Sequence, residues 1–399
     1  MLSIRVLPCA ALLAAALAIA PPAAASASPS DWLQSGANAA RHADNRGETI
    51  LSRSTVAGLR QSAITFPSDC NAGRPILSGG VLYTAVHVAS SCQIEAFADN
   101  GASIWTTNTT GGSYSNNFAV ADGVLVAPDF FGELRAFDTT DGSLLWTAPS
   151  GGSSAQPVID NGVVYVDYGH VQALDLHTGN VLWTGPVIDT NGQTTPAVWH
   201  DELFVVVNSA IYSFDTGDGH NLWSAVCSGP IGGDASPMIL KGIVYVSSKC
   251  AVDAVTGDTV ALKVPKNLQL PTSADATGGA RIFGSYRWGT SSSRQYATLE
   301  AFTPGIGGQL WHHDFPFNIF SGAWPFGYGP IAANGVLYVA DQTTSSPTTQ
   351  TTILRAFNPR TGRQLWHSKP INAWIFGISV ADGRLWANVV GGTIRSWTL

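Results

Sequence analysis

His312-His313-Asp314 sets two imidazoles and a carboxylate in consecutive positions, side-chain types that hold divalent metals. Consecutive residues of a strand point to opposite faces, so the two histidines cannot readily share one ion, and no metal site is expected there. Asp138-Thr-Thr-Asp141-Gly142 has the spacing that opens a calcium loop but lacks the later acidic ligand of an EF-hand, and it reads as a turn. Asp129-Phe130-Phe131-Gly132 reads as an apolar cap. No Gly-x-Ser-x-Gly elbow, His-Glu-x-x-His pair or phosphate-binding loop occurs, so no catalytic residue is assigned. The aromatic residues Tyr286, Trp288, Phe315, Phe317, Phe320, Trp324, Phe326 and Tyr328 are crowded into two stretches. Rings on insertions beside a rigid scaffold stack on sugars or anchor a partner protein, which makes these eight the candidate binding face. The alternative is that they only cover the scaffold beneath them.

Composition narrows what such a face serves. The 399 residues carry 20 Lys and Arg against 27 Asp and Glu, a net charge of −7, and only 12% are charged. An average chain is about 25% charged, so a disordered acidic tail and a solvated helical rod are both excluded. No basic block stands out, and the sign of the charge is wrong for phosphate, so no nucleic-acid partner is expected. Arg5, the apolar stretch Ala10 to Ala20, Pro21-Pro22 and Ala25-Ser26-Ala27 together read as a secretory signal over residues 1–27. Cys9 precedes the apolar stretch, which does not fit a lipoprotein signal, and no later run is long enough to span a membrane. A secreted or periplasmic chain is expected. Asn108-Thr109-Thr110 is a sequon, relevant only where the source glycosylates what it secretes.

The elements that position these residues form a repeat. Ala173-Leu-Asp175-Leu-His-Thr178-Gly179-Asn-Val-Leu-Trp183 recurs as Ala136 to Trp146, Ser213 to Trp223 and Ala356 to Trp366. Weaker copies run from Ala96 to Trp105, from Ala251 to Ala261, where Ala replaces Trp, and from Ala301 to Trp311, where Thr303 replaces Asp. Each copy follows two apolar runs separated by a turn pair such as Asp122-Gly123, Asn161-Gly162, Lys241-Gly242, Asn334-Gly335 or Asp382-Gly383. Asx-Gly between apolar runs is a strong hairpin signal. Four strands per unit, A to D, predict a blade, and Pro75, Pro157, Pro196, Pro237 and Pro330 fit the start of strand A, where a missing N–H is tolerated.

The last unit starts near Trp374 and ends at Leu399 without a strand D, while Gly58 to Phe66 is an unpartnered strand ahead of the first full unit. It supplies the missing strand D and removes the open edge. The D strands then lie at Ser62 to Phe66 and around Trp105, Trp146, Trp183, Trp223, Ala261, Trp311 and Trp366. The expected fold is all-β, a single eight-bladed propeller over residues 58–399 after a lead-in at 28–57, with the repeated Trp packed between blades.

The frame Ala-x-Asp-x-x-Thr-Gly-x-x-x-Trp, together with Asp31-Trp32-Leu-Gln-Ser-Gly and Ile50-Leu-Ser-Arg-Ser-Thr-Val-Ala-Gly-Leu59, resembles the PQQ-enzyme-repeat (quinoprotein-like) β-propeller family. The resemblance covers nearly the whole chain past residue 27 and implies eight blades. It implies one of two functions. Dehydrogenase members use PQQ and calcium in the axial cavity, with adjacent cysteines against the quinone; non-enzymatic members use the propeller to hold partners. No two of Cys9, Cys70, Cys92, Cys227 and Cys250 are adjacent, and no calcium ligand or catalytic Asp carries over to a numbered residue. The expectation is therefore a binding or scaffolding module with no cofactor and an unknown protein or carbohydrate ligand. A PQQ- and calcium-dependent oxidoreductase of alcohols or sugars is the alternative.

Cysteine placement supports the same topology. Cys70 and Cys227 each follow a strand D, while Cys92 and Cys250 each fall in the next B–C connection, at separations of 22 and 23. D–A and B–C connections share one end of a propeller, which favours Cys70–Cys92 and Cys227–Cys250 over the other two pairings. That end also carries Tyr286 to Trp288, the aromatic D–A stretch, and the Thr-rich connection Asp341 to Thr352.

Overall fold

Every Asx-Gly pair between apolar runs takes the conformation that a two-residue hairpin requires. Both residues have positive φ in Asp122-Gly123 (47° and 79°), Asn161-Gly162 (47° and 77°), Asn334-Gly335 (43° and 69°) and Asp382-Gly383 (50° and 72°). Such turns twist with the strands they join. The C–D turns close around their Asp: Asp175 Oδ1 accepts from the Thr178 amide and hydroxyl, both at 2.8 Å, and the same Asp position caps the turns at Asp138, Asp215 and Asp253.

The computed structural model describes residues 28–68, 70, 73–107, 114, 117–149, 156–167, 169–187, 194–207, 209–227, 236–247, 250–262, 269–275, 281–291, 294–305, 308–317, 329–346 and 349–399. The signal segment 1–27 and the sequon at Asn108 lie outside the described residues. Eight sheets form, antiparallel except where the two-residue strand Asp44–Asn45 pairs parallel with the first strand of blade 7. Blade 1 runs Ile76–Ser78, Val81–Val88, Ser91–Phe97 and Ser103–Thr106. Blades 2 to 8 open with Ala119–Ala121, Val158–Asp160, Ala197–Trp199, Met238–Leu240, Gln269–Asp275, Ile331–Ala333 and Ile375–Ala381. In blades 1, 3, 4, 5 and 7 a proline immediately precedes strand A. Blade 8 takes its outer strand from the other end of the chain: Arg60–Pro67 pairs antiparallel with Thr393–Thr398, from Arg60 opposite Thr398 to Pro67 opposite Thr393. The ring is closed as the sequence predicts. A single 3-10 turn, Val56–Gly58, is the one helical element among the described residues, and none is long and apolar enough to cross a membrane.

Two expectations need correction. In blade 5 the strand D expected around Ala261 is reduced, among the described residues, to one bridge between Thr259 and Val252. In blades 6 and 7 the described parts of the stretches read as connections are strand. Blade 6 has strands Arg281–Ser291, Arg294–Phe302 and Gln309–Phe317, and blade 7 has Val336–Ser346 and Thr349–Phe357. The Thr-rich stretch pairs in register, Thr343 with Thr351 and Gln342 with Thr352, because β-branched Thr suits a pleated sheet despite its polarity.

Neighbouring blades are joined by one repeated contact. The Trp that ends five of the frames lies against the C–D turn glycine of the next blade and donates its indole N–H to the carbonyl three residues before that glycine. Trp105 reaches Thr139 O (2.9 Å), Trp146 Leu176 O (2.8 Å), Trp183 Thr216 O (2.8 Å), Trp223 Ala254 O (3.1 Å) and Trp311 Pro359 O (2.9 Å). A Cβ added to Gly219 (φ +75°) would stand 2.3 Å from the Trp183 ring, and at Gly142, Gly179, Gly257 and Gly362 between 2.5 and 2.8 Å from theirs. Glycine is required twice over, for its φ and for the ring.

Trp183→Ala leaves a large hole between blades 3 and 4 and is expected to cost about 3–5 kcal/mol in thermal unfolding. Gly162→Ala, whose Cβ would meet nothing within 4 Å, costs only the left-handed backbone term of about 1–2 kcal/mol. Gly219→Ala is expected to melt well below Gly162→Ala, and equal melting of the two would contradict the clamp.

Candidate binding faces at the two ends of the axis

Of the eight aromatic residues of the candidate face, Tyr286, Trp288, Phe315 and Phe317 fall in described strands of blade 6. Tyr286 and Trp288 lie in strand B of blade 6, with Tyr286 opposite Thr298 and Trp288 opposite Tyr296; their register puts them on one face of the sheet. Phe317 ends strand D, opposite Gln295. The side chains of Tyr286, Trp288 and Phe317, and all of Phe320, Trp324, Phe326 and Tyr328, lie outside the described residues. Phe315 is described, and it is only 3% exposed. It packs with Phe283, Leu299, Leu337, Val339 and Phe357 between blades 6 and 7, with the Arg355 guanidinium over its ring at 5.4 Å. The structure therefore places Phe315 in the core, because odd-numbered positions of this strand face blade 7.

His312 is exposed, whereas His313 packs against the rings of Phe315 (4.6 Å, tilted) and Phe357 (5.2 Å, edge-on). Burial, and then the Arg355 charge, hold the His313 imidazole below its ordinary range. Arg355 is itself fixed by the buried Asp341 through two nitrogens (both 2.8 Å) and by Gln364 (2.9 Å). This charged pair, both nitrogens on Asp341 Oδ2, stiffens the long hairpin of blade 7.

Cys70 is joined to Cys92, and Cys227 to Cys250, with Cα separations of 5.7 and 5.2 Å. The partners Cys92 and Cys250 sit in strand C, just inside the connections expected to hold them. Each bond ties the end of one blade to the next. The Asp129 turn is not a cap: Phe130 and Phe131 are 49% and 71% exposed. Asp129 Oδ1 accepts from the amides of Phe131 (2.8 Å) and Glu133 (2.9 Å), and Arg135 Nη1 donates to Tyr114 Oη (3.1 Å), so the two exposed rings stand on a braced turn.

Among the described residues, two groups of three potential metal ligands occur, Cys70 with His87 and Cys92, and Asp215 with Asp218 and His220. Neither fits calcium held against an axial quinone. The first is built on a disulfide, and in the second Asp215 Oδ1 accepts from the Gly217 amide of its own exposed C–D turn. Neither disulfide is formed by adjacent cysteines.

The opposite end of the axis, at the A–B turns, is crossed by the lead-in. Trp32 exchanges backbone hydrogen bonds with Leu77 of blade 1, Leu33 O accepts from Val120 of blade 2, and the Gln34 amide brackets Ile159 of blade 3 (3.1 and 3.3 Å). Ala39 O and Ala40 O accept from Val198 and Ile239 of blades 4 and 5, Ala43 O from Ala332 of blade 7, and Asn45 Nδ2 donates to Val380 O of blade 8. The unpaired inner edges of these strands are thereby satisfied by one chain segment. Asp31 Oδ2 accepts from Gly79 N and Glu48 Oε2 from Gly383 N, both in A–B turns, which fixes the end concerned. His42 donates from Nε2 to Ile239 O and accepts at Nδ1 from Arg46 (3.2 Å). Burial first, and then the Arg46 charge, hold its imidazole down at about 4. The sequence reading missed this role of the lead-in; the available signal was the run of small residues Gly36-Ala37-Asn38-Ala39-Ala40, which lets backbone approach backbone at a crowded axis.

With this geometry, comparison with known proteins is informative. Residues 90–277 match the family described as outer membrane protein assembly factor BamB. BamB from Moraxella catarrhalis is similar in structure (TM-score 0.61, 18% identity, 86% of this chain and 98% of that one). So are the quinohemoprotein alcohol dehydrogenase from Comamonas testosteroni (0.66, 14%, 94% and 81%) and a europium-containing methanol dehydrogenase (0.66, 13%, 93% and 98%). At these identities the likeness carries the fold alone. No curated protein sequence matches the chain.

Two outcomes follow from the described side chains. Phe315→Ala is expected to cost about 3–5 kcal/mol, while Phe131→Ser leaves the melting temperature unchanged; the reverse order would contradict the placement. An unfolded imidazole titrates near ~6.5, so between that value and about 4 the unfolded chain binds a proton that folded His42 does not. Stability present above pH ~6.5 is then lost as the pH falls towards about 4, and His42→Gln is expected to flatten this slope in unfolding curves across the window.

Proposed function

We propose that this chain, a member of the PQQ-repeat β-propeller family, works as an exported binding or scaffolding module that engages a protein or carbohydrate at the B–C and D–A end of blades 6 and 7. The single observation that carries the reading is strand length. The B and C strands of blade 6 have 11 and 9 residues, as do those of blade 7, against 5 and 6 in blades 2 and 3. Two neighbouring hairpins are thus drawn out past the ring on one side, and Tyr286 and Trp288 lie in the extended part. A sheet holds aromatic groups at fixed spacing, so little conformational entropy is lost when a flat sugar ring or a partner's apolar side chain stacks on them. The B–C and D–A connections can vary in length without disturbing the inter-blade clamps, which lie in the C–D turns at the other end. Trp324, Phe326 and Tyr328 follow strand D of blade 6 in sequence, lie outside the described residues, and are proposed for the same surface.

Two disulfides suit an oxidising compartment, in agreement with a secreted or periplasmic location. Should a quinone be held, it would supply the two-electron chemistry of alcohol or sugar oxidation, and no residue of this chain is assigned a step in it.

One set of measurements decides between the readings. The purified protein is incubated with PQQ and calcium and assayed for a bound chromophore and for dye reduction with alcohols and aldoses; in parallel it is screened on glycan arrays and against extracts of its source. The module reading expects no turnover and a ligand whose affinity falls at least tenfold in Trp288→Ala or Trp324→Ala, with melting unchanged. Quinone-dependent turnover, or affinities unchanged in both variants, would overturn it.

A further inference from the structure

Arg41 sits where the lead-in crosses the A–B end of the axis, between Ala40, bonded to blade 5, and Ala43, bonded to blade 7. The segment closes on itself there. The Ala43 amide donates to Gly36 O (2.8 Å), the Arg41 amide donates to Asn38 O (2.9 Å), and a Cβ added to Gly36 would stand 2.6 Å from the Arg41 Cα. The backbone is held in the left-handed region at three non-glycine residues in seven, Ala37 (φ 65°), Arg41 (59°) and Ala43 (49°). Such conformations persist only where the surroundings enforce them, and they gather at ligand sites.

The side chain fixed by this loop is a cation with nothing to neutralise it. Arg41 makes no side-chain hydrogen bond or ion pair among the described residues, and it is half-buried. Burial alone pulls its guanidinium down to about 10, with no acidic group opposing the shift. The neighbouring charged groups are otherwise engaged. Asp44 pairs with Arg46 (3.4 Å), Asp31 accepts from the amides of Ser28 and Gly79, and His42, with its imidazole held at about 4, is neutral at pH 7. A desolvated, unpaired guanidinium is costly to keep, and its planar fork matches an oxyanion.

We propose that Arg41 anchors an anion site where the lead-in crosses the A–B end of the axis, taking a small molecule through a carboxylate or phosphate group. The site is at the opposite end from the aromatic surface and does not rest on it.

Isothermal titration of the full exported chain with sodium phosphate and, separately, sodium succinate, at an ionic strength held constant with chloride, tests the assignment and tells the two oxyanions apart. Saturable binding of at least one is expected in the native chain, weakened at least tenfold in Arg41→Gln and less in Arg41→Lys, which keeps the charge but loses the fork. Without anion, Arg41→Gln is expected to melt at or above the native temperature, since an unpaired, half-buried charge has been removed. No saturable binding of either anion, binding undiminished in Arg41→Gln, or an Arg41→Gln chain that melts far below both the native and the Arg41→Lys proteins would overturn the proposal, the last because Arg41 would then be a structural residue.

Discussion

One indole lying against one glycine sets the angle between neighbouring blades, and most of the remaining architecture depends on that contact. Two flat sheets packed through apolar side chains could slide or rotate with little loss, since the hydrophobic effect has no direction. The clamp adds direction. The ring of Trp183 occupies the space that a Cβ on Gly219 would need, and its N–H, which would be costly to bury unpaired, ends on Thr216 O at 2.8 Å. Because the same geometry recurs from blade to blade, each junction turns by a similar angle, and a repeated angle closes a ring. The low charge and high glycine content of the chain follow from this: the junctions use rings, turns and backbone carbonyls in place of ion pairs.

The junctions without a Trp are informative. Blade 5 has Ala261 at the clamp position, and there Tyr245 of strand B takes the hydrogen bond, its hydroxyl accepting from Gly305 N (2.8 Å) in the turn of blade 6. At the junction of blades 8 and 1, Ile64 of the closing strand packs under Gly101, where a Cβ would stand 3.0 Å from Ile64 Cγ2. Trp366 of blade 7 has no C–D turn ahead of it and donates instead to Leu59 O (3.1 Å), just before the closing strand begins. The chain ends are thus brought together by the same indole that elsewhere joins two complete blades.

Much of this was legible in the sequence, and the reasons differ from element to element. Turn pairs such as Asn161-Gly162 report their conformation directly, because few other residues tolerate positive φ twice in succession. The closing strand was legible by subtraction, one unit lacking a strand D and one strand lacking a unit. The extended hairpins of blades 6 and 7 were not, since Thr343, Thr344 and His312 look like loop residues when hydrophobicity is the guide, and a strand that leaves the core loses its apolar alternation. Phe315 was misplaced for a related reason: a D–A connection was assumed where the strand continues, and in a strand its position faces blade 7. The role of the lead-in was the hardest to read, because it lies in backbone bonds to strands far away in the chain, and the small residues Gly36 to Ala40 signal a close backbone approach without naming its partner.

The two ends of the axis therefore differ in kind. The A–B end is crossed by residues 31–45, which bond to the inner strands, while the B–C and D–A end is where strands lengthen and disulfides tie neighbouring blades. All of this requires a single closed ring, with the outer strand of blade 8 drawn from residues 60–67. Hydrogen exchange of the intact chain followed by mass spectrometry tests that most directly. Closure predicts that amides of Arg60–Pro67 which face Thr393–Thr398 exchange as slowly as their counterparts in the interior blades. Exchange of that strand at the rate of an unpaired terminus, with blades 2 to 4 still protected, would contradict it.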